Sequence, residues 1–177
     1  MSSGRVSSEV LVVDGYNMIG AWPELRELAK QSLEDARDRL IELLSDDQGF
    51  TGRRVIVVFD AYEVPGLGAK IEQGNVEIIY TKEKETADEC IERLVDSLQK
   101  RGVQIYVAPS DMVEQHVVFG KGALRISARE LLWQVEENRR HVREKIRWKQ
   151  DTQRNSFDTR IDETLRDRLE KWRRSGK

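Results

Sequence analysis

The sequence of 177 residues lacks the features that mark several special classes of protein. Its single cysteine, Cys90, excludes an internal disulfide and any zinc site built from several cysteines, which favours a reducing cytoplasm. Its longest apolar run, residues 55–59, is far too short to span a bilayer, and its first residues show no signal-peptide pattern. We therefore expect a cytoplasmic protein with no membrane partner.

The net charge of −2 conceals an uneven distribution of charge along the chain. Residues 137–177 carry 14 Lys and Arg against 8 Asp and Glu, whereas residues 1–136 carry 16 against 24. An acidic body with a basic tail suits a metal site in the first part and a polyanion-binding surface in the second. The alternative is a pair of solvated, salt-bridged surfaces, and composition alone favours that alternative.

Four short apolar segments, residues 9–14, 54–60, 76–81 and 103–109, have the composition of β-strands. Three of them are almost continuously apolar, as is typical of parallel strands covered on both faces. Helical patterns at residues 32–44 and 86–100 separate them. This alternation predicts an α/β fold with a mostly parallel sheet of about four or five strands.

The chain becomes helical after the fourth strand. We predict a short helix at 112–118, a glycine-marked loop at 120–125, a long helix at 127–149, a polar linker at 150–157 and a helix at 158–174. The predicted organisation is a flexible leader (residues 1–8), one domain (9–149) and a basic linker with a C-terminal helix (150–177).

Four carboxylates are predicted at one edge of this sheet. Asp14 and Asp60 end the first two strands, Asp111 follows the fourth, and Asp88 lies in the first turn of the helix after the third. The carboxyl ends of parallel strands form the ligand crevice of such sheets. Because oxygen ligands without His or Cys suit Mg²⁺ or Mn²⁺ rather than zinc, the cluster predicts a site that activates water and neutralises charge at a phosphodiester.

Three of the four acids also have an ordinary structural interpretation. Asp88 could interact with its helix dipole, Asp111 or Ser110 could cap a helix, and Asp60 could close a turn. Taken singly, these structural roles are favoured. Taken together, four acids at one edge favour a metal site, because their mutual repulsion is otherwise costly.

Two residues after Asp14 add to the predicted site. Asn17 could orient Asp14 or bind the scissile phosphate, since an amide both donates and accepts hydrogen bonds, or it could close the turn locally. Tyr16 is expected to be a packing residue over the turn. Its position argues against a phosphotransferase, in which a second Asp would stand there.

The segments VDGYNMIGAW, VIVVFDAYEV, YTKEKETADE and APSD, followed by FGKGALRISARELL, together resemble the YacP-like branch of the NYN domains. These are PIN-like nucleases, and the branch includes a bacterial ribosome-dependent messenger-RNA endonuclease. The resemblance covers about residues 9–148, with KWRR at 171–174 also similar. It implies a PIN-like three-layer sandwich with a C-terminal helical basic tail.

The resemblance also implies roles for individual residues. Asp14, Asp88 and Asp111 match the family's acids and Asn17 its motif asparagine; Asp60 matches a frequent acid of the second strand. In such nucleases the acids hold one or two divalent ions, here Mg²⁺ or Mn²⁺, that activate the attacking water. Many PIN-like domains have a further Asp after the fourth-strand acid, and its absence here leaves the number of ions open.

These implications predict an endoribonuclease that cleaves translated messenger RNA in the ribosomal A site. It would be a monomer without a small-molecule cofactor. Its expected RNA or ribosome contacts are Ser110, Lys82, Arg125, Arg139, Arg140, Arg143, Lys145, Arg147 and Lys149. Two alternatives stay open: a non-catalytic RNA- or ribosome-binding module, and a metal-dependent phosphatase or DNA nuclease on the same fold.

Overall fold

The computed structural model of the chain describes residues 8–61, 70–99, 102–108 and 122–174. The chain divides into two compact units, Met1–Asn138 and Arg139–Lys177. The described elements, in chain order, are β1 (Ser8–Asp14), α1 (Gly15–Ala21), α2 (Pro23–Ala29), α3 (Leu33–Thr51), β2 (Arg54–Phe59), β3 (Lys70–Gln73), β4 (Val76–Tyr80), α4 (Ala87–Leu98), β5 (Val103–Ala108), β6 (Leu124–Arg125) and α5 (Ala128–Arg174).

The described strands form one mostly parallel sheet in the order β3-β4-β2-β1-β5-β6. β1 lies in the interior between β2 and β5, parallel to both, and only the β3–β4 pair is antiparallel. The predicted α/β class and the four predicted strands, which correspond to β1, β2, β4 and β5, are confirmed. The short strands β3 and β6 were not predicted, and β6 lies within the segment predicted as a glycine-marked loop.

Helices cover both faces of the sheet, so the first unit has the predicted three layers. Leu11 and Val13 of β1 pack in one hydrophobic core with α1, α2, α3 and the first turns of α5. Val10 and Val12 face the second core, which includes α4. Because successive residues of β1 enter different cores, the strand is apolar at each of the four positions 10–13.

The three helices whose starts were predicted each begin at a side chain that accepts a hydrogen bond from the first turn. Ser32 Oγ accepts from the backbone N–H of Asp35 in α3, at 3.1 Å. Thr86 and Glu89 form a capping box at the start of α4, and Ser127 and Glu130 exchange the same two bonds at the start of α5. These caps account for the predicted starts of all three helices.

The final helix corrects one prediction. Residues 150–157, predicted as a linker because they are polar, lie within α5, which runs without interruption from Ala128 to Arg174. The sequence of α5 contains no Gly or Pro and is rich in Arg, Glu, Lys and Gln, all of which favour helix. The polarity of residues 150–157 was therefore not enough to predict a linker, because the segment contains no residue that breaks a helix.

Hydrogen bonds to the buried Asp47 of α3 join this helix to Arg53 and to the start of α5 within the first unit. Asp47 Oδ2 accepts from Arg53 Nε at 3.0 Å and from Arg53 Nη2 at 2.7 Å, and Asp47 Oδ1 accepts from Asn138 Nδ2 at 2.8 Å. Asp47 is fully buried and Arg53 nearly so.

Within the described residues, none of the helices has the length and hydropathy for a membrane crossing.

Candidate functional site

A cleft of about 370 Å³ lies at the carboxyl ends of the central strands. It is called the acidic cleft here, and its described lining residues are Asp14, Tyr16, Asn17, Asp60, Thr86, Ala87 and Asp88. Three of the four predicted acids and the predicted asparagine are therefore brought to one place. The other two residues predicted at this edge, Ser110 and Asp111, lie outside the described residues.

Asp14 reaches the acidic cleft because it is the last residue of the interior strand β1. It is only 6% exposed. Its Oδ1 accepts a hydrogen bond of 3.1 Å from the backbone N–H of Asn17, so Asp14 is also the N-cap of α1. Capping by Asp14 is compatible with metal binding, since a carboxylate has two oxygens that each accept more than one bond.

The carboxylate of Asp14 closes the turn after β1. The bond that joins Asp14 to Asn17 uses the main-chain N–H of Asn17, while the residue itself lines the acidic cleft. Gly15 is the first residue of α1, and a Cβ there would lie 2.3 Å from the Phe59 ring. Glycine is needed at this position for the close approach of Phe59.

Asp60 directly follows β2, and a buried threonine that the sequence interpretation missed holds the chain on both sides of it. The backbone N–H of Thr81 donates to the carbonyl of Phe59 at 3.0 Å, and Thr81 Oγ1 accepts from the N–H of Ala61 at 2.9 Å. Thr81 is fully buried. A polar residue directly after the apolar segment of β4 was the available signal for this role.

Asp88 is the second residue of α4, and the capping box of Thr86 and Glu89 already satisfies the first turn. Asp88 is partly buried and lines the acidic cleft. The positive end of the helix dipole favours a carboxylate at this position. The structural role and the site role of Asp88 are compatible, as they are for Asp14.

Glu85, three residues before Asp88, is bound by Arg93 and by the backbone of Lys82. Its Oε1 accepts from Arg93 Nη2 at 2.7 Å and from Arg93 Nε at 3.1 Å, and its Oε2 accepts from the Lys82 N–H at 3.2 Å. Burial opposes the charged form of Glu85, but these hydrogen bonds and the nearby positive charges outweigh it, so its pKa is lowered. Glu85 thus stabilises the turn before α4 and is not among the described lining residues.

The donor atoms of the acidic cleft suit a hard divalent cation. The described lining offers carboxylate, amide and hydroxyl oxygens, and no His or Cys is among these residues. No three His, Cys, Asp or Glu side chains in the described ranges are grouped closely enough to enclose an ion by themselves. This donor set fits Mg²⁺ or Mn²⁺, because Mg²⁺ usually keeps several waters and binds only one or two carboxylates.

Tyr16, which the sequence interpretation assigned only to packing, lines the acidic cleft and is the first ring of a short aromatic series. Tyr16 contacts Phe59 edge-on, with ring centroids 5.1 Å apart, and Phe59 stacks with Tyr80 at 5.7 Å. Arg37 Nη1 of α3 donates to the Tyr16 hydroxyl oxygen at 3.2 Å. Burial works against the charge of Arg37, but this bond and neighbouring groups leave its pKa raised. Tyr16 is therefore fixed at both its ring and its hydroxyl.

The predicted basic contacts occupy three places. Lys82 is exposed in the turn before α4, and Arg125 ends β6, whose carboxyl end points to the same sheet edge as the acids. The others lie on α5 in the second unit. At 100° per residue, four of them fall within one 100° arc and Lys145 and Lys149 fall outside it. The four are Arg139, Arg140, Arg143 and Arg147.

Comparisons with known proteins agree on one family. Residues 11–174 match the model of the YacP-like NYN domain. The YacP protein of Bacillus subtilis (strain 168) is 49% identical over 166 residues, which cover 94% of this chain and 97% of that protein. A crystal structure of Rae1 (YacP) from Bacillus subtilis matches with a TM-score of 0.72 at 49% identity, over 94% of this chain and 95% of that one. A tryptophan-to-leucine mutant of the same protein matches with a TM-score of 0.72 at 50% identity, over 81% and 84%.

Proposed function

Because the chain belongs to the YacP-like NYN domain family of PIN-like nucleases, we propose that it is an endoribonuclease that depends on a divalent metal. Its proposed substrate is messenger RNA under translation, cleaved in the ribosomal A site so that decay of the message begins. The acidic cleft is the proposed site of cleavage.

The observation that carries this proposal is the convergence of three carboxylates from separate parts of the chain. Asp14 ends β1, Asp60 follows β2, and Asp88 opens α4, yet all three line one cleft. Like charges that line one cleft repel one another, and a divalent cation that keeps several of its waters would relieve this repulsion without being enclosed by the acids. The shared cleft is therefore what supports a cation site.

In this proposal Asp14, Asp60 and Asp88 would hold Mg²⁺ or Mn²⁺, together with Asp111 as the family resemblance implies, one or two of them directly and the others through waters that the ion keeps. When bound, such an ion supplies Lewis-acid activation of the phosphodiester and of water at neutral pH. The protein's own contribution is to fix the ligands. The Asn17 N–H orients the Asp14 carboxylate, and Thr81 holds the backbone on both sides of Asp60.

The remaining lining residues suit a phosphate-bearing substrate. The side-chain amide of Asn17 can donate to a phosphate oxygen, and the Thr86 hydroxyl lies at the same cleft. Lys82 and Arg125, at the carboxyl edge of the sheet, are proposed to reduce the repulsion between the acids and an incoming RNA backbone.

The proposed link to the ribosome rests on the family resemblance and on the charge of α5. Arg139, Arg140, Arg143 and Arg147 share one side of this helix, and three of the four are exposed. Such a surface suits sequence-independent contacts with ribosomal RNA phosphates, as do Lys145 and Lys149 elsewhere on the helix. Binding of this kind weakens steeply as salt concentration rises.

The test is cleavage of a reporter messenger RNA in a purified translation system. The wild type is compared with Asp14→Asn, Asp88→Asn and the matched control Asp96→Asn, which changes an exposed acid of the same helix α4. Each is measured with Mg²⁺, with Mn²⁺ and with a chelator, and on translated and untranslated copies of the message.

We expect the wild type and Asp96→Asn to cleave the translated message when metal is present. Asp14→Asn and Asp88→Asn should lose cleavage by about 100-fold or more, as expected when a group that acts on the reacting centre is removed. Unchanged cleavage by either folded cleft variant would contradict the proposed site. Equal cleavage of untranslated RNA would remove the ribosome from the proposal and leave a general endoribonuclease.

A further inference from the structure

We propose that Tyr16 positions the RNA by packing its ring against a nucleobase next to the scissile phosphate. The inference rests on the proposed nuclease function and adds a substrate contact to it. Among the described lining residues of the acidic cleft, Tyr16 is the only aromatic one; the others are acidic, polar or, at Ala87, small. Tyr16 therefore offers the one large apolar surface of the described cleft to a bound nucleotide.

The electrostatics of the acidic cleft favour a base rather than a phosphate against Tyr16. Three carboxylates line the cleft with Tyr16, and they repel an RNA backbone wherever no cation intervenes. A nucleobase carries no formal charge and has a π-face that stacks on aromatic rings whatever its identity. Contact with Tyr16 would thus hold the substrate without selecting a particular sequence.

The position of Tyr16 relative to Asp14, the first acid of the site, is fixed by the turn between them. Tyr16 lies two residues after Asp14, and the bond from the Asn17 N–H to Asp14 fixes the turn on which both stand. The ring is supported by Phe59, which in turn stacks on Tyr80, and its hydroxyl accepts from Arg37. A ring fixed in this way loses little conformational entropy when a base packs against it.

The lack of a side chain at Gly15 allows the Phe59 ring to lie where it supports Tyr16. A Cβ on Gly15 would lie 2.3 Å from Cε1 and 2.6 Å from Cδ1 of Phe59, so the support of Tyr16 depends on glycine there. Four consecutive residues thus contribute to this arrangement. Asp14 supplies a carboxylate, Gly15 leaves room for the Phe59 ring, Tyr16 supplies the aromatic surface and Asn17 supplies an amide.

The experiment combines protein variants with substrates that lack one base. Short messages carry a single abasic nucleotide at each position around the wild-type cleavage site, and kcat/KM is measured on translating ribosomes. The wild type is compared with Tyr16→Phe, which keeps the ring, and with Tyr16→Leu, which keeps an apolar side chain without it. Thermal unfolding of each variant reports on folding.

The wild type should lose about tenfold in kcat/KM at one abasic position, the lower range of a single base–aromatic stack. Tyr16→Leu should lose a similar factor on intact RNA and nothing further at that position. Tyr16→Phe should stay within about threefold of the wild type on every substrate. This non-additivity distinguishes contact with a base from a structural role of Tyr16.

Two outcomes would overturn the proposal. One is a wild type that is indifferent to base removal at every position, a result that needs no variant to fold. The other is a Tyr16→Leu protein whose loss adds to that of the abasic substrate at the sensitive position. No cleavage by the wild type on any message would instead overturn the proposed function, and the role of Tyr16 with it.

Discussion

The carboxylate of Asp14 and the backbone N–H of Asn17 are joined by a hydrogen bond of 3.1 Å, so the first acid of the acidic cleft is also the N-cap of α1. The charge of Asp14 and its capping oxygen are thus separable by mutation. Asparagine keeps a capping oxygen and removes the charge, whereas alanine removes both.

Asp14→Asn should leave the free energy of unfolding unchanged or raise it by less than about 1 kcal/mol, because Asn caps helices as well as Asp does and removes one of the repelling charges. Asp14→Ala should destabilise the protein by about 1 kcal/mol. Urea denaturation measures both values, and RNA cleavage should be lost in both. A stable Asp14→Asn variant that retains full cleavage would show that the charge of Asp14 is not needed for the reaction.

Gly15→Ala should destabilise the protein by about 1–3 kcal/mol, since its methyl group would overlap the Phe59 ring. Gly20→Ala is the matched control in the same helix. Gly20 is exposed, and no neighbouring atom comes within 4 Å of a Cβ built there. That substitution should stabilise α1 by about 0.5–1 kcal/mol. Equal effects of the two substitutions in denaturant unfolding would contradict the packing described for Phe59.

The Asp47–Arg53 pair should be among the most sensitive features of the first unit. Asp47→Ala removes the partner of a nearly buried guanidinium and leaves Asn138 without its acceptor at Asp47 Oδ1, so we expect a loss of about 3 kcal/mol or more. Asp46→Ala, at the neighbouring exposed position, should stay within about 0.5 kcal/mol. A small effect of Asp47→Ala in denaturant unfolding would show that water readily replaces this cluster.

The lowered pKa of Glu85 predicts a pH-dependent contribution to stability. Burial opposes its charge, but the bonds from Arg93 and the Lys82 N–H outweigh burial. A carboxyl with a lowered folded-state pKa stabilises the protein above its ordinary value of 4.5, and this stabilisation is lost as the pH falls through the folded-state pKa.

Glu85→Gln should therefore be less stable than the wild type by about 0.5 kcal/mol at pH 7, because Arg93 is largely exposed. The difference should shrink as the pH is lowered below 4.5. Glu83→Gln, an exposed change in the same turn, serves as the control. A difference between wild type and Glu85→Gln that grows towards low pH would contradict the assigned sign.

The sheet was predictable where strands are buried on both faces. β1 and β2 read as continuous apolar runs because successive residues enter different cores. β3 and β6 have two to four residues each and lie at the edges, with the sequences KIEQ and LR, so no periodicity marked them. Only residues 150–157 of α5 were missed, because this segment is almost entirely polar and so shows no apolar stripe of helical period.

The acids of the site were predictable because the order of strands and helices places their ends at one edge. Thr81 and Tyr16 were not, since their roles depend on contacts with residues distant in the chain. Thr81 acts through Phe59 and Ala61, and Tyr16 through Phe59 and Arg37. Such contacts have no signature in the spacing of residues along a single sequence.

Calorimetric titration with Mn²⁺ tests most directly whether Asp14, Asp60 and Asp88 act as one site. The wild type and Asp96→Asn should bind the ion alike. Asp14→Asn, Asp60→Asn and Asp88→Asn should each weaken binding by about tenfold or more, the range seen when even an outer partner of a metal site is lost. A wild type that binds no Mn²⁺ at millimolar concentration, or cleft variants that bind it as tightly as the wild type, would contradict the account.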